Sequence, residues 1–565
     1  MSPHSGRSSN ENARHPERAR GSEDPRSPRS SSAPPEAEPH STEQAGWLGR
    51  WSPRQRRIAI WAALAAVVLG AAYLVTRPGS DTPAANGAGA GPEFAAIERF
   101  VRKEMAAQRI PGLALGIVKG DRIAYLRGFG KADESGRAVT PQTPFILGSV
   151  SKSFTAVAIM QLVEAGKIEL DAPVQRYLPW FRVADEEASA QITVRHLLNQ
   201  TSGLSTKTGR SFNGSGDTSE AALETAVRKL RSAEPTAPVG EKHQYSTINY
   251  SVLGLIVQTV TGRSYESYVE AAIFDPLQMR DSFTSEAAGE QDGLATGHNY
   301  WFGRPSAADL PYNRRLIPAG YLISSAEDMT HYLIAQLNGG RYRTASVLSP
   351  AGVAELHQPG APTRKTGTSY AMGWFVGPIN KIPAIYHQGE VPNFHANAVL
   401  VPESRTGVIV LMNAQNNVDL FSVDRMATIS EGVTSLLEGR EPSPPPSSIV
   451  SFLIYAVLFA VIVLQLRGMT RSVVALRRGG RVGPWWRIAL SLAVSLAWAL
   501  LVLVLLPKQF GVSLRVLAQG FPDLAYILII SGVVALVWGL VRATWAYSTL
   551  RKARRSERAA PVAAT

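Results

Sequence analysis

Long apolar runs divide the chain before any other feature does. The uncharged run IAIWAALAAVVLGAAYLV predicts a transmembrane helix over 58–76, and runs at 449–466, 488–506 and 525–541 predict three more. Each is close to the length of about 20 residues that a helix needs to cross the hydrocarbon core. A cleaved signal peptide is the alternative for the first run. It is less favoured because the polar stretch before that run is longer than a whole signal peptide.

The segments between these runs differ in their hydrophobic pattern. Residues 1–57 hold almost no large aliphatic side chain, which predicts a disordered tail. Residues 77–93 are Gly, Ala and Pro without a hydrophobic period and predict a flexible linker, whereas the Pro-rich segment 441–448 predicts a stiffer one. Residues 94–440 have the pattern of a folded domain. A basic tail, 542–565, follows the last apolar run.

The folded domain begins and ends with recognisable elements. Apolar residues at helical spacing predict a helix over 94–107. Two apolar runs on either side of Gly120-Asp121 predict a β-hairpin. Strand composition and one closing helix follow at 370–377, 383–388, 394–412 and 422–437. This order predicts one antiparallel sheet built from both ends of the domain, with a helical insertion between them and helices on both faces.

The basic residues beside the apolar runs predict an orientation. Arginines precede the first run, six lie between 467 and 487, and further basic residues follow the last run. The loop 507–524 carries only Lys508 and Arg515. Because cytoplasmic loops are enriched in Lys and Arg, both termini are expected in the cytoplasm and residues 76–448 outside. The predicted location is thus a multi-pass protein of the cell membrane with its folded domain on the extracytoplasmic side.

Net charge and cysteine content narrow the function classes. The formal charge of +13 needs no nucleic-acid partner, because much of it lies in tails and loops placed against an anionic inner leaflet. The chain has no cysteine, which excludes disulfides, a thiolate nucleophile and cysteine-ligated metal sites. The chemistry must therefore come from oxygen and nitrogen groups.

Ser149 and Lys152 form a Ser-x-x-Lys motif before the helix-compatible stretch TAVAIMQLVEAGK. Residues three apart lie on one face of a helix. A lysine can help remove the serine proton if burial or a dipole destabilises its ammonium form. A serine in the first helical turn also brings its own amide to a developing oxyanion. Because the motif also arises by chance, a capping serine at an exposed helix start is the alternative.

Five blocks in one order carry a resemblance to a known family. They are FILGSVSKSFTA, TVRHLLNQTSGLS, QYSTINYSVLGLIV, PAGYLISSAEDM and YHQGEVPNF. Together they resemble the serine β-lactamase-related family, which includes class C β-lactamases, D-Ala-D-Ala carboxypeptidases, D-aminopeptidases and related esterases. The resemblance covers essentially all of residues 95–439. It implies an α/β (α+β) fold of the serine β-lactamase/transpeptidase type and a serine hydrolase that needs no metal or cofactor.

The resemblance implies roles for the first two motifs. Ser149 is the nucleophile, Lys152 its partner, and Tyr245 the tyrosine of the second motif. Tyr245 needs a cation such as Lys152 to stabilise its phenolate before it can act as a base, and a ring that only packs the helical insertion is the alternative. Thr247 stands where the family has asparagine, and Asn249 is out of register. Recognition of an acylamide side chain is therefore in doubt.

The third motif of the lactamases, Lys-Thr-Gly, corresponds here to His387-Gln388-Gly389 on a presumed edge strand. His387 lacks the permanent charge that lysine offers a β-lactam carboxylate, and a structural role is its alternative. Gly389 would let a substrate lie close to the strand. The amide of Glu390 would be the second oxyanion donor beside that of Ser149. The Glu390 carboxylate would restrict the cleft, select cationic substrates or simply face solvent.

The leading hypothesis is an acyl-enzyme hydrolase that acts on an envelope amide or ester. The expected substrate is a small molecule, a D-amino acid peptide or a peptidoglycan stem peptide. Altered Thr247 and His387 argue against an efficient β-lactamase. The alternative is a penicillin-binding sensor or scaffold whose transmembrane bundle couples to an unknown protein partner, since one span would be enough for anchoring. A transporter is disfavoured, because the C-terminal spans lack Asp, Glu, Lys and His in their apolar cores.

Overall fold

The computed structural model describes residues 52, 92–212, 216–309, 311–416, 425–445, 449–478 and 485–559. The predicted tail 1–57 apart from Ser52, the predicted span 58–76 and most of the linker 77–93 lie outside these ranges. Contacts separate Met1–Leu64 from Ala65–Thr565. The architecture that follows belongs to the second unit.

The described strands form one large sheet and three small ones. They are β1 (Gly112–Lys119), β2 (Arg122–Gly130), β3 (Phe145–Ile146), β4 (His298–Trp301), β5 (Arg304–Ala307), β6 (Ile323–Ser324), β7 (Arg341–Tyr342), β8 (Ala345–Ser346), β9 (Ala361–Pro362), β10 (Ser369–Tyr370), β11 (Phe375–Ile379), β12 (Ile382–Val391), β13 (Phe394–Val401), β14 (Thr406–Met412) and β15 (Ala414–Gln415). The large sheet has eight strands in the order β2-β1-β14-β13-β12-β11-β10-β9.

All neighbours in the large sheet are antiparallel, and its two halves come from opposite ends of the domain. The N-terminal hairpin joins the C-terminal strands where β1 pairs with β14, with Leu113 opposite Met412. The hairpin at Gly120-Asp121 forms as the sequence predicts, and Gly120 adopts the positive φ of 68° that its turn requires. The predicted antiparallel sheet is confirmed.

Helices cover both faces of the sheet. Those of the folded domain are α1 (Pro92–Gln108), α2 (Ser151–Glu164), α3 (Glu186–Gln191), α4 (Val194–Leu198), α5 (Thr206–Arg210), α6 (Ala222–Arg228), α7 (Ile248–Thr261), α8 (Tyr265–Val269), α9 (Glu286–Gln291), α10 (Ala326–Leu337), α11 (Pro350–His357) and α12 (Ala427–Leu437). Side chains of β1 alternate between the faces, as the period of two in a strand requires. Leu113 and Leu115 pack in one cluster with α1 and α12, whereas Ala114 joins the larger cluster that contains α2 and α10.

The C-terminal part of the chain forms long apolar helices. They are α13 (Ile449–Arg477), α14 (Trp485–Leu500), α15 (Leu506–Gln509), α16 (Leu514–Gly520) and α17 (Pro522–Ala559). Three stretches in the described chain are long and apolar enough to cross a membrane, over Leu453–Val474, Trp486–Gln509 and Pro522–Thr549. The first predicted span, 58–76, falls outside the described residues. Many leucine and valine side chains of these helices are exposed, as they are in helices whose outer surface meets lipid.

Candidate active site

Ser149 lies in the turn Gly148–Val150, which leads directly into α2. The sequence predicts this serine in the first turn of the helix, and the structure places it in a tighter 3-10 turn just before it. Gly148 makes that turn possible, because its φ of 53° is a left-handed conformation that favours glycine. A Cβ atom at Gly148 would lie only 2.4 Å from the amide nitrogen of Glu390. The turn is therefore held tightly against β12.

Lys152 lies in the first turn of α2 and contacts Ser149. Its side chain is buried, and Nζ donates hydrogen bonds to Ser149 Oγ at 2.9 Å and to the Ala319 carbonyl oxygen at 2.5 Å. Burial lowers the pKa of Lys152 to about 7, because removal from water disfavours the charged form. At neutral pH a large fraction of Lys152 is thus an uncharged amine. That amine can keep its bond to Ala319 while its lone pair accepts the Ser149 proton.

Tyr245 reaches the same point from the turn that precedes α7. The Lys152 Nζ atom lies 5.0 Å from the centre of the Tyr245 ring. Burial raises the pKa of Tyr245 well above 10, the neighbouring Tyr370 adds to this effect, and the hydroxyl of Ser149 partly opposes it. The resting side chain is therefore a neutral phenol, which can donate its proton only to a strongly basic group. The role of Tyr245 as a base, which would need its phenolate stabilised by Lys152, stays a prediction.

Gln200 fixes the segment that carries Tyr245. Its Oε1 atom accepts hydrogen bonds from the Ser246 amide at 2.9 Å and from Asn249 Nδ2 at 2.7 Å. Asn249 is buried in α7, and its own oxygen accepts a bond from Ser202 at 2.9 Å. Both polar ends of Asn249 are thus used inside the helical insertion. Thr247, in contrast, lines the cavity beside Ser149.

His387 lies on β12 and is only 1% exposed. This strand is not the edge strand that the sequence suggested, because it pairs with both β11 and β13. Its Nε2 atom is 3.3 Å from the Tyr370 hydroxyl, and its Nδ1 atom is 2.6 Å from the Gln388 carbonyl oxygen. Burial lowers the pKa of His387 to about 3, and the charge of Lys152 acts in the same direction. The imidazole is therefore neutral across the physiological range. His387 is absent from the described residues that line the cavity.

Gly389 and Glu390 bring the β12 backbone to the nucleophile. A Cβ atom at Gly389 would lie 1.9 Å from the Leu147 carbonyl oxygen and 3.1 Å from the Ser149 amide nitrogen. Any side chain at Gly389 would therefore push the strand away from the Ser149 turn. The backbone of β12 at Gly389 and Glu390 therefore lies against the Ser149 turn, and we expect the amides of Ser149 and Glu390 to form a pair of donors there. Such a pair of backbone donors is the arrangement that stabilises an oxyanion in acyl transfer.

A cavity of about 500 Å³ opens beside Ser149, within the size range of small-molecule sites. Among its described lining residues, four carry carboxylates and none is lysine or arginine: Glu286, Glu290, Asp309 and Glu390. Burial raises the pKa of Glu286 to about 7, with further increases from Glu290 and Asp309. The cavity therefore disfavours anions. Within the described ranges, no group of three or more His, Asp or Glu side chains is arranged to hold a metal ion.

Comparison with known families agrees with this geometry. The family model described as Beta-lactamase matches residues 97–431. The chain belongs to the beta-lactamase family. As a member of this family it is a serine hydrolase, and the expected fold class is confirmed.

Named relatives of this beta-lactamase family member include proteins from bacteria and fungi. Protein flp of Staphylococcus aureus is 26% identical over 422 residues, which cover 71% of this chain and 80% of that protein. Unguisins hydrolase ungD' of Aspergillus campestris is 27% identical over 327 residues, or 55% of this chain and 60% of that enzyme.

Solved structures share the fold of the family domain. The octameric penicillin-binding protein homologue from Pyrococcus abyssi matches with a TM-score of 0.54 and 27% identity, over 62% of this chain and 79% of that one. EstCE1, a hydrolase with promiscuous acyltransferase activity, matches with a TM-score of 0.53 and 22% identity, over 60% of this chain and 98% of that one. The second comparison shows the fold alone.

The structure brings some predicted residues together and adds others. Ser149, Lys152 and Tyr245 meet at one point, while Thr247 and Glu390 line the cavity. Residues that the sequence interpretation did not assign to chemistry are Gln200, Ala319, Glu286, Glu290, Asp309, Val516 and Gln519. Gln200 and Ala319 lie within two of the five family blocks, so the sequence itself could have pointed to them as site residues. The remaining five lie outside these blocks, and only the folded structure brings them to the cavity.

Proposed function

We propose that this chain is a membrane-anchored serine hydrolase that acylates itself at Ser149 and acts outside the membrane on uncharged or cationic esters and amides. The observation that carries the proposal is the buried contact of Lys152 Nζ with Ser149 Oγ at 2.9 Å, at the floor of a cavity large enough for a small acyl compound. A serine hydroxyl needs such a base to become a nucleophile.

The proposed reaction uses four residues of the chain. Neutral Lys152 accepts the hydroxyl proton while Ser149 Oγ attacks the substrate carbonyl carbon. The amides of Ser149 and Glu390 donate to the resulting oxyanion. Tyr245, a neutral phenol, donates its proton to the leaving group as the carbonyl re-forms, and the proton on Lys152 replaces it. Water then attacks the acyl-enzyme by the reverse proton path and releases the acid.

The charge of the cavity supports the choice of substrate class. A β-lactam and a peptide ending in D-Ala-D-Ala both carry a carboxylate near the scissile bond. Four carboxylates line the described cavity wall, and the neutral His387 offers no compensating charge. A substrate with a free amine would instead find Glu286 and Glu390 as partners. We therefore expect β-lactams and D-Ala-D-Ala peptides to be hydrolysed less efficiently than neutral or amine-bearing compounds.

The proposed membrane orientation rests on charge asymmetry. Three candidate spans follow the catalytic domain. Six arginines lie between 467 and 487, whereas the segment 507–524 between the next two spans holds only Lys508 and Arg515. Under the positive-inside rule, this asymmetry supports a cytoplasmic C-terminal tail and a catalytic domain outside, and the predicted span 58–76 would then put the N terminus in the cytoplasm as well. Substrates of the cell envelope come within reach of this location.

A series of matched amides tests the proposed substrate class. D-Alanine p-nitroanilide carries a free amine, its N-acetyl derivative is neutral, and its N-succinyl derivative carries a carboxylate. The full chain in lipid nanodiscs should hydrolyse the first two with a kcat/KM at least about tenfold above that of the third. Ser149→Ala should abolish all three activities. Preference for the succinyl compound, or for a penicillin, would overturn the substrate class but not the nucleophile.

A further inference from the structure

The segment 510–521 joins the last two membrane helices and returns to the catalytic domain. We call it the outer loop. It contains α16, and two of its side chains, Val516 and Gln519, line the cavity that also holds Ser149 and Glu390. Part of the active-site wall is thus built from the membrane bundle and not from the family domain.

The outer loop contacts elements on two sides of this cavity. A Cβ atom at Gly511 would lie 2.8 Å from the Lys207 carbonyl oxygen in α5, and Gly511 has a positive φ of 74°. At the other end, Asn299 of β4 donates from Nδ2 to the Gln519 carbonyl oxygen at 3.3 Å. Helix α5 itself packs beside Thr247, since a Cβ atom at Gly209 would lie 2.7 Å from the Thr247 amide. The loop therefore runs from the second motif to the β4–β5 hairpin.

A buried contact holds the outer loop in this position. The tip of the β4–β5 hairpin enters the membrane bundle, where the Phe302 amide donates to Asp523 Oδ2 at 2.8 Å. The Tyr455 hydroxyl donates to the same carboxylate oxygen. Asp523 is 1% exposed and lies two residues after the end of the loop. A buried carboxylate with two donors from different elements fixes the bundle against the domain.

Aromatic rings reinforce the same junction. Trp301 stacks on Tyr526 with ring centres 5.3 Å apart, and the ring of Phe302 lies 5.7 Å from Tyr455 and 5.8 Å from Phe459. These contacts join the hairpin to both α13 and α17. The outer loop is thus supported on both sides of its cavity-lining residues.

From these contacts we infer that the outer loop is a wall of the substrate cavity, and that Val516 and Gln519 determine which substrates reach Ser149 by limiting their size. The inference rests on the proposed acylation of Ser149. It gives the C-terminal helices a role beyond anchoring, because specificity then depends on a part of the chain that relatives of the catalytic domain need not share.

Two probes with one reactive group test the inference. Both are fluorophosphonates that modify Ser149, one with an ethyl group and one with a bulky aromatic group. In the full chain in nanodiscs, Val516→Trp should slow labelling by the bulky probe at least about tenfold and labelling by the ethyl probe less than about twofold. Arg515→Trp places the same side chain on an adjacent exposed residue outside the cavity, and should alter neither rate.

A second variant, which widens the cavity, keeps the test valid if Val516→Trp fails to fold. Val516→Ala combined with Gln519→Ala should accelerate the bulky probe by about threefold or more and leave the ethyl probe unchanged. If both probes label Ser149 and their rates are the same in wild type and in every loop variant, the outer loop is not a wall of the cavity. Ser149 would still be the nucleophile. If neither probe labels wild type at Ser149, the proposed function fails and this inference fails with it.

Discussion

At the scale of single residues, the site depends on one buried lysine. Lys152 makes no ion pair with a carboxylate in its described surroundings; its hydrogen bonds go to a hydroxyl and a carbonyl oxygen. Burial without a counter-charge favours the neutral amine, which lowers the pKa of Lys152 to about 7. Burial without a counter-charge destabilises the charged ammonium, and for the same reason it allows Lys152 to act as a base at neutral pH.

The pH dependence of acylation follows from this pKa. Only neutral Lys152 can accept the Ser149 proton, so labelling by the ethyl fluorophosphonate should rise with pH through about 7 and then level off. Lys152→Arg, which stays charged, should slow labelling by about 100-fold or more. Glu286→Gln is the necessary control, because the pKa of Glu286 is also raised to about 7. If the rise of the labelling rate near pH 7 is lost in Glu286→Gln, the rise reports Glu286 and not Lys152.

A second prediction concerns the oxyanion pair. Gly389→Ala would place a methyl group 1.9 Å from the Leu147 carbonyl oxygen, so β12 must move away from the Ser149 turn. We expect labelling of Ser149 to slow at least about tenfold and the protein to lose about 2 kcal/mol of stability. Gly468→Ala is a matched control, since a Cβ there meets no atom within 4 Å. Equal effects of the two substitutions would contradict the close approach.

At the scale of elements, the ends of the domain were predictable and its middle was not. The hairpin β1–β2 and the strands β12–β14 follow from apolar runs broken by Gly-Asp and Pro turns, which are local signals. The helix predicted over 422–437 is observed as Ala427–Leu437, with 417–424 outside the described residues. The two-residue strands β9 and β10 carry no period of their own. They form because β10 pairs with the edge of β11 and β9 in turn pairs with β10.

The site shows the same division. Ser149 and Lys152 are neighbours on one element, so their spacing in the sequence predicts their contact. Gln200 and Tyr245 meet only because two segments of the helical insertion fold together. The contribution of Val516 and Gln519 is further from any sequence signal, since no motif connects a membrane loop to a serine 367 residues earlier in the chain, at position 149 against 516. Long-range packing, not local propensity, decides these contacts.

Gln200 provides a test at this scale. Gln200→Ala removes the acceptor shared by the Ser246 amide and Asn249, and leaves both buried donors without it. We expect a loss of about 2 kcal/mol in stability and a fall in kcat as Tyr245 is released from its position. Gln191→Ala removes an exposed glutamine that bonds only to Glu187 in the described contacts, and should change neither quantity. Thermal unfolding and steady-state kinetics together separate the two effects.

At the scale of the whole molecule, the absence of cysteine makes the orientation directly measurable. A single cysteine at exposed Glu220 in the catalytic domain should react with a membrane-impermeant maleimide added to intact spheroplasts. One at exposed Arg551, in the basic stretch after the last span, should react only after the membrane is opened. The reverse pattern would place the catalytic domain in the cytoplasm and remove envelope substrates from consideration.

The whole molecule also explains why three helices follow a domain that one could anchor. The bundle holds the hairpin tip through Asp523 and carries the outer loop to the cavity. A polar contact inside the bundle, from the Trp498 indole to the Ser531 hydroxyl at 2.9 Å, ties two of its spans together. In the proposed account, the same helices anchor the protein and shape the wall of the active site.

The formation of a covalent adduct at Ser149 is the most direct test of the central claim. The full chain in nanodiscs is treated with the ethyl fluorophosphonate and with a fluorescent penicillin, and the modified residue is identified by peptide mass spectrometry, with Ser149→Ala as control. We expect the fluorophosphonate on Ser149, little penicillin, and no adduct in the variant. Adducts at other residues only, or equal labelling of Ser149→Ala, would contradict an acylating Ser149.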